Sequence, residues 1–495
     1  MVLASQAQHG MWITEVIHGT GTAYHMPFAM WFDGPLDREA MLTACRAVLA
    51  RHPVLSCAFE ERDGSLHLVP AKAEPPVTFV VEPDPRALIE REIALPFSLS
   101  TGPLARFTLV EVSSSRHLLL FVGHHLVFDG MSKDLLVRDL ATAYSGAPAP
   151  PLRMPYGAEE KPSPEAEAYW RARWHEVPQV VINGVVRTPR LAERGETVLL
   201  ALTHDMPDLS GVTRFEVFLT AVHTLLHRYG NTDPSVAVAM STRTAETREH
   251  IGLFATELPV FSSFPAEGLF RELALNLRSE LRELNAFREV PVARAVGGIK
   301  PRAALAPVSI SFRRRAPDQV FPGLELSVEW KMSNHMVRNV LHLQAVDGDD
   351  GLRLTLHYSP DVISRQDVEL AGEHLRTVLR AVAADPDVRV ADLPLPVASP
   401  VTTASATSVV PDAAPVPGEA EAELVEQVRL IWMEVLRMDH IAPDEDLYDL
   451  GGHSLTITQI SARIRKRLGV EVPFDVFLDD PTITGVAAAI GGLRP

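Results

Sequence analysis

Arg106 to Ser132 reads RFTLVEVSSSRHLLLFVGHHLVFDGMS: a strand, a turn, a second strand and a loop that opens a helix. Arg106 to Val112 alternates polar and apolar residues, as a half-buried strand does. The SSSR that follows is a turn. HLLLFVG, His117 to Gly123, is a continuous apolar run that suits a central strand. His124 and His125 leave that strand, and the Asp129-Gly130 turn opens a helix, Met131 to Tyr144, with Gly146 as its stop signal. A histidine held at a strand end, with an ordinary pKa near ~6.5, can accept a proton at neutral pH. A carboxylate four residues on can fix the loop or a neighbouring cation. A metal site is disfavoured, because successive strand side chains face opposite sides. Taken alone, the His-His pair also reads as two satisfied core histidines.

The same mixture of strands and helices continues outward. Leu352 to Tyr358 (LRLTLHY) alternates again, and Gln366 to Ala381 has helical spacing. Residues 1–393 therefore read as α+β, with two comparable halves, 1–175 and 176–393. From Pro394 to Gly418 the chain runs PLPVASPVTTASATSVVPDAAPVPG. Without aromatic residues it cannot offset its ordering entropy by burial, so 394–418 reads as an extended, mobile linker. The remaining 419–495 reads as all-helical. Leu424, Val428, Ile431, Trp432, Val435 and Leu436 share one face of a first helix. A second runs from Ser454 to Leu468 and is ended by Gly469; Pro481 to Ile490 is a short last one.

Composition narrows the function. Lys and Arg number 46 against 63 Asp and Glu, a net charge of −17, which disfavours broad nucleic-acid binding and anionic membrane surfaces. Two cysteines, Cys45 and Cys57, build neither a disulfide framework nor a Cys-rich zinc site. The first residues, MVLASQAQHGMW, lack the pattern of a signal peptide, and no apolar run approaches the ~18 residues of a membrane span. A cytoplasmic location is the expectation.

In the small unit, Asp444 to Leu455 reads DEDLYDLGGHSL. Gly451 and Gly452 allow a tight turn, and His453 and Ser454 open a helix. A serine there stands at the positive end of the helix dipole, a favourable place for a phosphate diester. Equally, it can serve only as a helix N-cap.

These motifs resemble known ones. The small unit is similar over its whole length to a peptidyl carrier (thiolation) domain of nonribosomal peptide synthetases, through its LGGHSL string. The resemblance implies an all-α four-helix bundle with 4′-phosphopantetheine attached at Ser454. In the large unit, GHHLVFDG resembles the HHxxxDG signature of the synthetases' condensation domain, whose fold is that of chloramphenicol acetyltransferase. SQAQHGMW (Ser5 to Trp12), RHPVLSCAF (Arg51 to Phe59), IGLFATELP (Ile251 to Pro259) and PVSISF (Pro307 to Phe312) resemble further segments of that family, in order. The implied architecture is two acetyltransferase-like lobes in a V, with a tunnel between them and carriers docking at opposite faces.

The resemblance also implies roles. His125 matches the active-site histidine, which accepts or positions the proton of an attacking amine as a thioester is cleaved. His124 and Asp129 match residues with mainly structural roles, and Gly130 keeps the backbone clear of the tunnel. There are departures. Gly10 stands where the family often has an Arg that pairs with the motif Asp, leaving the partner of Asp129 unassigned or supplied by another Arg. Ala255 and Thr256 replace a Val-Asn pair, and the match is poor around Lys300 to Pro307. Heterocyclisation and epimerisation variants fit less well, since both histidines are kept and no Trp follows Asp129-Gly130. Ester formation and a non-catalytic docking module are the other readings. No adenylation domain is read between the two units, and no thioesterase is read after Ser454. The expectation is therefore a dissected module that depends on an upstream donor carrier in trans, a stand-alone adenylation enzyme, a phosphopantetheinyl transferase, and a downstream synthetase or release enzyme.

Overall fold

The structure is a computed structural model. It describes residues 2–395 and 419–493, apart from 19–20, 63–64, 155, 158–162, 176, 178, 190–193, 203–204, 264, 266, 291, 293–303, 331, 333–335, 349–350, 437, 439, 448–449, 451–453, 471 and 473–475. The α+β expectation holds: two large sheets with flanking helices fill the long unit. Almost all of the expected linker lies outside the described residues. Its second residue does not behave as linker: Leu395 is buried in the core of the second sheet, and Arg228 donates to its carbonyl at 3.1 Å. An apolar side chain two residues past a buried Leu393 still finds core to cover it.

The first sheet has five strands, in the order Glu325–Glu329, His25–Asp33, Arg116–His124, Ala105–Ser113, Val77–Val81. The apolar run read from the sequence is its central strand. Apolar residues occupy both of its faces. Leu119 and Phe121 join Phe28, Met30, Phe107 and Leu109 under the helices Arg38–Arg51 and Ser132–Tyr144. Leu118, Leu120 and Val122 join Ala29, Val110 and Leu88 on the other side. The helix after the motif starts at Ser132 and ends before Gly146, whose φ of +70° suits a residue without Cβ. The strand Glu325–Glu329 pairs with His25–Asp33, Val328 opposite Met30. Residues 176–393 therefore supply one strand to the sheet of the first half.

The second sheet has six strands, in the order Glu196–Leu202, Gly351–Tyr358, Leu341–Gly348, Val308–Arg314, Ser235–Ser241, Ala255–Phe261. The strand Val308–Arg314 is parallel to both neighbours, and the other pairings are antiparallel. The helices Arg214–Arg228, Phe270–Ala286 and Arg365–Ala384 cover one face. The carrier-like unit comprises the helices Glu419–Leu436, Ser454–Leu468, Val476–Asp479 and Ile483–Leu493. They enclose a core of their own around Trp432, Ile457, Ile460, Phe477 and Ile490. Among the described residues no helix is long and apolar enough to cross a membrane.

Candidate functional site

His124 is the last residue of the central strand and His125 the first after it, and the two have different surroundings. His124 is 1% exposed, with Tyr24, His25 and Phe97 around its ring. Its Nδ1 accepts the Leu126 N–H at 3.2 Å, which puts the ring proton on Nε2, a buried atom with no partner among the described residues. Burial, then the neighbouring His25 and His125, pull it down to about 3. His124 is a neutral ring that holds the turn.

His125 is half-buried. Its main-chain N–H donates to Tyr24 O at 2.8 Å. Its Nδ1 lies 2.8 Å from Phe128 O, and a carbonyl only accepts, so Nδ1 carries the proton and Nε2 is left with a lone pair. Burial lowers its pKa below the usual histidine value, offset in part by Asp129 and by the bond to Phe128. The ring is neutral at pH 7, in one tautomer, with its basic nitrogen turned away from its own loop.

Asp129 is 1% exposed and its oxygens are fully engaged. Oδ1 accepts from Ser132 N and Oγ, both at 2.8 Å, and so caps the following helix. Oδ2 accepts from Phe254 N at 3.0 Å. Arg243 closes a bidentate pair, Nη1 to Oδ2 at 2.6 Å and Nη2 to Oδ1 at 3.0 Å. The arginine missing at Gly10 is thus supplied from the second half of the chain. The sequence carried a weak signal for this, an Arg just after the strand Ser235–Ser241, but not its partner. The replacements at Ala255 and Thr256 cost Asp129 nothing, because that segment contributes the main-chain N–H of Phe254.

Other groups fix the same loop. Gln8, 1% exposed, donates from Nε2 to Leu126 O at 2.9 Å and to Tyr156 Oη at 3.1 Å, so the opening SQAQ segment supports the His125 turn directly. Ser132 Oγ bridges to Gly252, and His52 Nδ1 accepts Ile251 N–H at 3.4 Å. Arg138 pairs with Glu249. Arg338 donates to Tyr24 Oη at 3.1 Å, and Arg313 donates to Gly130 O at 3.3 Å while pairing with Asp134. Gly130 is exposed, and a Cβ there would meet nothing within 4 Å. Lys133, buried beside Phe28 with Nζ 3.2 Å from Trp330 O, is drawn down to about 7 by burial and by Arg313. Sequence reading passed over it because lysine is ordinary on a helix.

Ser454 is the first residue of the helix Ser454–Leu468, whose first turn has no acidic side chain to repel a phosphate. That start fits a phosphopantetheine ester. The side chain of Ser454, with Gly451, Gly452 and His453, lies outside the described residues.

Comparisons with known proteins assign families to both units of the chain. The family described as "Condensation domain" matches residues 1–399, and "Phosphopantetheine attachment site" matches 426–490. Chondramide synthase cmdD of Chondromyces crocatus is 28% identical over 79% of the chain, and tyrocidine synthase 3 of Brevibacillus parabrevis 27% identical over 79%. The chain spans only 11% and 6% of their lengths. Among solved structures, the X-domain from teicoplanin biosynthesis, in complex with OxyB, superposes with a TM-score of 0.66 at 23% identity, covering 79% of this chain and 95% of that one. The first condensation domain of the calcium-dependent antibiotic synthetase, in complex with a substrate analogue, gives 0.64 at 21% identity, covering 79% and 98%.

Proposed function

The chain belongs to the condensation-domain family and continues into a phosphopantetheine attachment domain; from that premise we infer that it forms an amide bond between an upstream carrier-bound acyl or peptidyl thioester and an aminoacyl acceptor. The observation that supports this most is the His125–Phe128 hydrogen bond, which fixes a neutral imidazole with Nε2 free to take a proton. His125 accepts the proton that the attacking amine loses, or holds that amine in line. Holding two tethered reactants at one place supplies much of the acceleration through proximity. Asp129 acts through position: its carboxylate is bonded to Arg243, Ser132 and Phe254, so it braces the loop and moves no proton. His124 seats the turn from behind, and Gly130 leaves open space beside it.

Ser454 is the residue that carries phosphopantetheine, which supplies the thiol that holds an acyl group as a thioester. The partners this requires are a phosphopantetheinyl transferase, an adenylating enzyme, a donor carrier, and a synthetase or release enzyme downstream, all expected in the cytoplasm.

Two measurements test the reading. Treatment with coenzyme A and a broad phosphopantetheinyl transferase should raise the intact mass of the wild type and leave Ser454→Ala unchanged. Protein purified from its producing strain should carry an extended acyl chain on Ser454, and His125→Ala only the bare aminoacyl unit. Identical loads on both would overturn the catalytic role.

A further inference from the structure

A covered sheet face is ordinarily apolar, and a polar one is ordinarily wet. One face of the second sheet is neither. Val308, Ile310, Leu341, Leu343, Leu354 and Leu356 pack under helices. Strand alternation turns their neighbours Ser309, Ser311, His342, Gln344, Thr355 and His357 the opposite way. The register lines these up. Ser309, His342 and His357 are cross-strand partners in one row, and Ser311, Gln344 and Thr355 in the next. Ser309 and Thr355 are 1% and 2% exposed, and the other four are half-buried.

This face looks toward the His125 loop. Arg313, two residues beyond Ser311 and on the same face, donates to Gly130 O. On another side Arg338 bonds Tyr24 Oη, and Tyr24 O accepts the His125 N–H. The charge of Arg338 bears on both His125 and His342. The polar rows thus lie among contacts to the loop that carries the basic nitrogen.

The rows are also wired. His342 Nδ1 is 2.7 Å from Ser309 Oγ, and Nε2 is 3.2 Å from Ser311 Oγ. Burial, then Arg338, pull this histidine down to about 4, so at pH 7 it has one N–H and one lone pair. With enclosed Ser309 donating into Nδ1, Nε2–H donates to Ser311, and the spare hydroxyl hydrogen falls on half-buried Ser311. In the same row Thr355 Oγ1 is buried with no partner among the described residues. Arg313 and Arg338 are already paired with Asp134 and Glu257, so the wall has no uncommitted charge from them.

We propose that Ser311, oriented by His342 and Ser309 and flanked by Gln344 and Thr355, recognises an uncharged hydrogen-bonding group, a hydroxyl or an amide, on the chain of a tethered substrate and selects against plain hydrocarbon. The proposal rests on the condensation reading above. The group can sit on the acyl donor or on the aminoacyl acceptor.

Calorimetric titration of the full chain with hydrolysis-resistant pantetheine amides separates the two sources. One pair is donor-like, 3-hydroxybutyryl against 3-methylbutyryl; the other is acceptor-like, threonyl against valyl. In one pair the hydroxyl member should bind about fivefold to tenfold tighter, the range one hydrogen bond gives. Ser311→Ala and His342→Leu should each abolish that difference while leaving the hydrocarbon member's affinity in place, and Ser311→Thr should keep it. The discriminating pair identifies the source. The proposal is overturned if neither pair discriminates, if discrimination survives both substitutions, or if both members weaken together in every variant. Failure of the condensation reading registers separately, as equal loads on wild type and His125→Ala, and does not alter these affinities.

Discussion

The two large sheets hold five and six strands, and they use their faces differently. The central strand of the first is apolar on both sides, with Leu119 and Phe121 beside Phe28 under two helices and Leu118, Leu120 and Val122 in another cluster. The second is apolar on one side only and turns Ser309, Ser311 and His342 toward the first half of the chain. Burying both faces immobilises a strand, and the first sheet spends that rigidity on delivering one imidazole. Leaving one face polar forgoes packing, and the second sheet gains a surface of hydrogen-bonding groups. One sheet positions the base and the other presents a wall to whatever the base acts on.

The joint between them is the buried Asp129–Arg243 pair, with side chains 1% and 3% exposed. Removing one partner of such a pair leaves an uncompensated charge in low dielectric. Arg243→Ala should therefore cost about 3–5 kcal/mol, read from urea denaturation. It should also depress condensation, since Asp129 caps the helix that follows the His125 loop. A loss below about 1 kcal/mol would mean that the loop is braced from the first half alone, and the division of labour between the sheets would fail.

That joint also marks where sequence reading stopped. The apolar run from His117 to Gly123 was legible because a strand buried on both faces has no polar alternation to hide it. The Ser454 helix was legible to its ends because its apolar stripe and Gly469 coincide. The motif placed His124, His125, Asp129 and Gly130 together, as the structure does. Arg243 was not legible as the partner of Asp129, because a pairing across 114 residues leaves no local period. The strand Glu325–Glu329 crossing to the first sheet was invisible for the same reason. The polar rows of the second sheet alternate as any half-wet strand does, and only the cross-strand register shows that they coincide.

Histidines at the two sheets sharpen the contrast in acid. His124, at the end of the first sheet, is held neutral down to about 3. The unfolded chain takes up that proton near pH 6.5. The stability tied to His124 is therefore whole above pH 6.5 and falls as pH drops toward 3, by about 1.4 kcal/mol per pH unit. His342, half-buried and bonded to two serines, yields nearer 4, so its share of the loss ends earlier. Thermal unfolding of His124→Phe from pH 7 to pH 4 should show the variant gaining on the wild type as the solution becomes more acidic. Parallel curves would show that burial is not what keeps His124 neutral.

The smallest expected change in stability is at Gly130. A Cβ there meets nothing within 4 Å, and the residue is not among the positive-φ glycines. Replacing a glycine at a compatible backbone position narrows the unfolded ensemble, so Gly130→Ala should stabilise the fold slightly, by about 0.4–1 kcal/mol. Activity should move the other way. Gly130 O is held by Arg313 from the strand that also carries Ser311, and the space beside Gly130 is open. If substrate passes through that space, an added methyl obstructs it, and transfer onto Ser454 should slow several-fold in a protein that melts no earlier. A variant that is both more stable and fully active would mean that substrate approaches His125 by another route. The polar rows would then border a space that substrate does not cross, and the comparison between the sheets would reduce to one of packing.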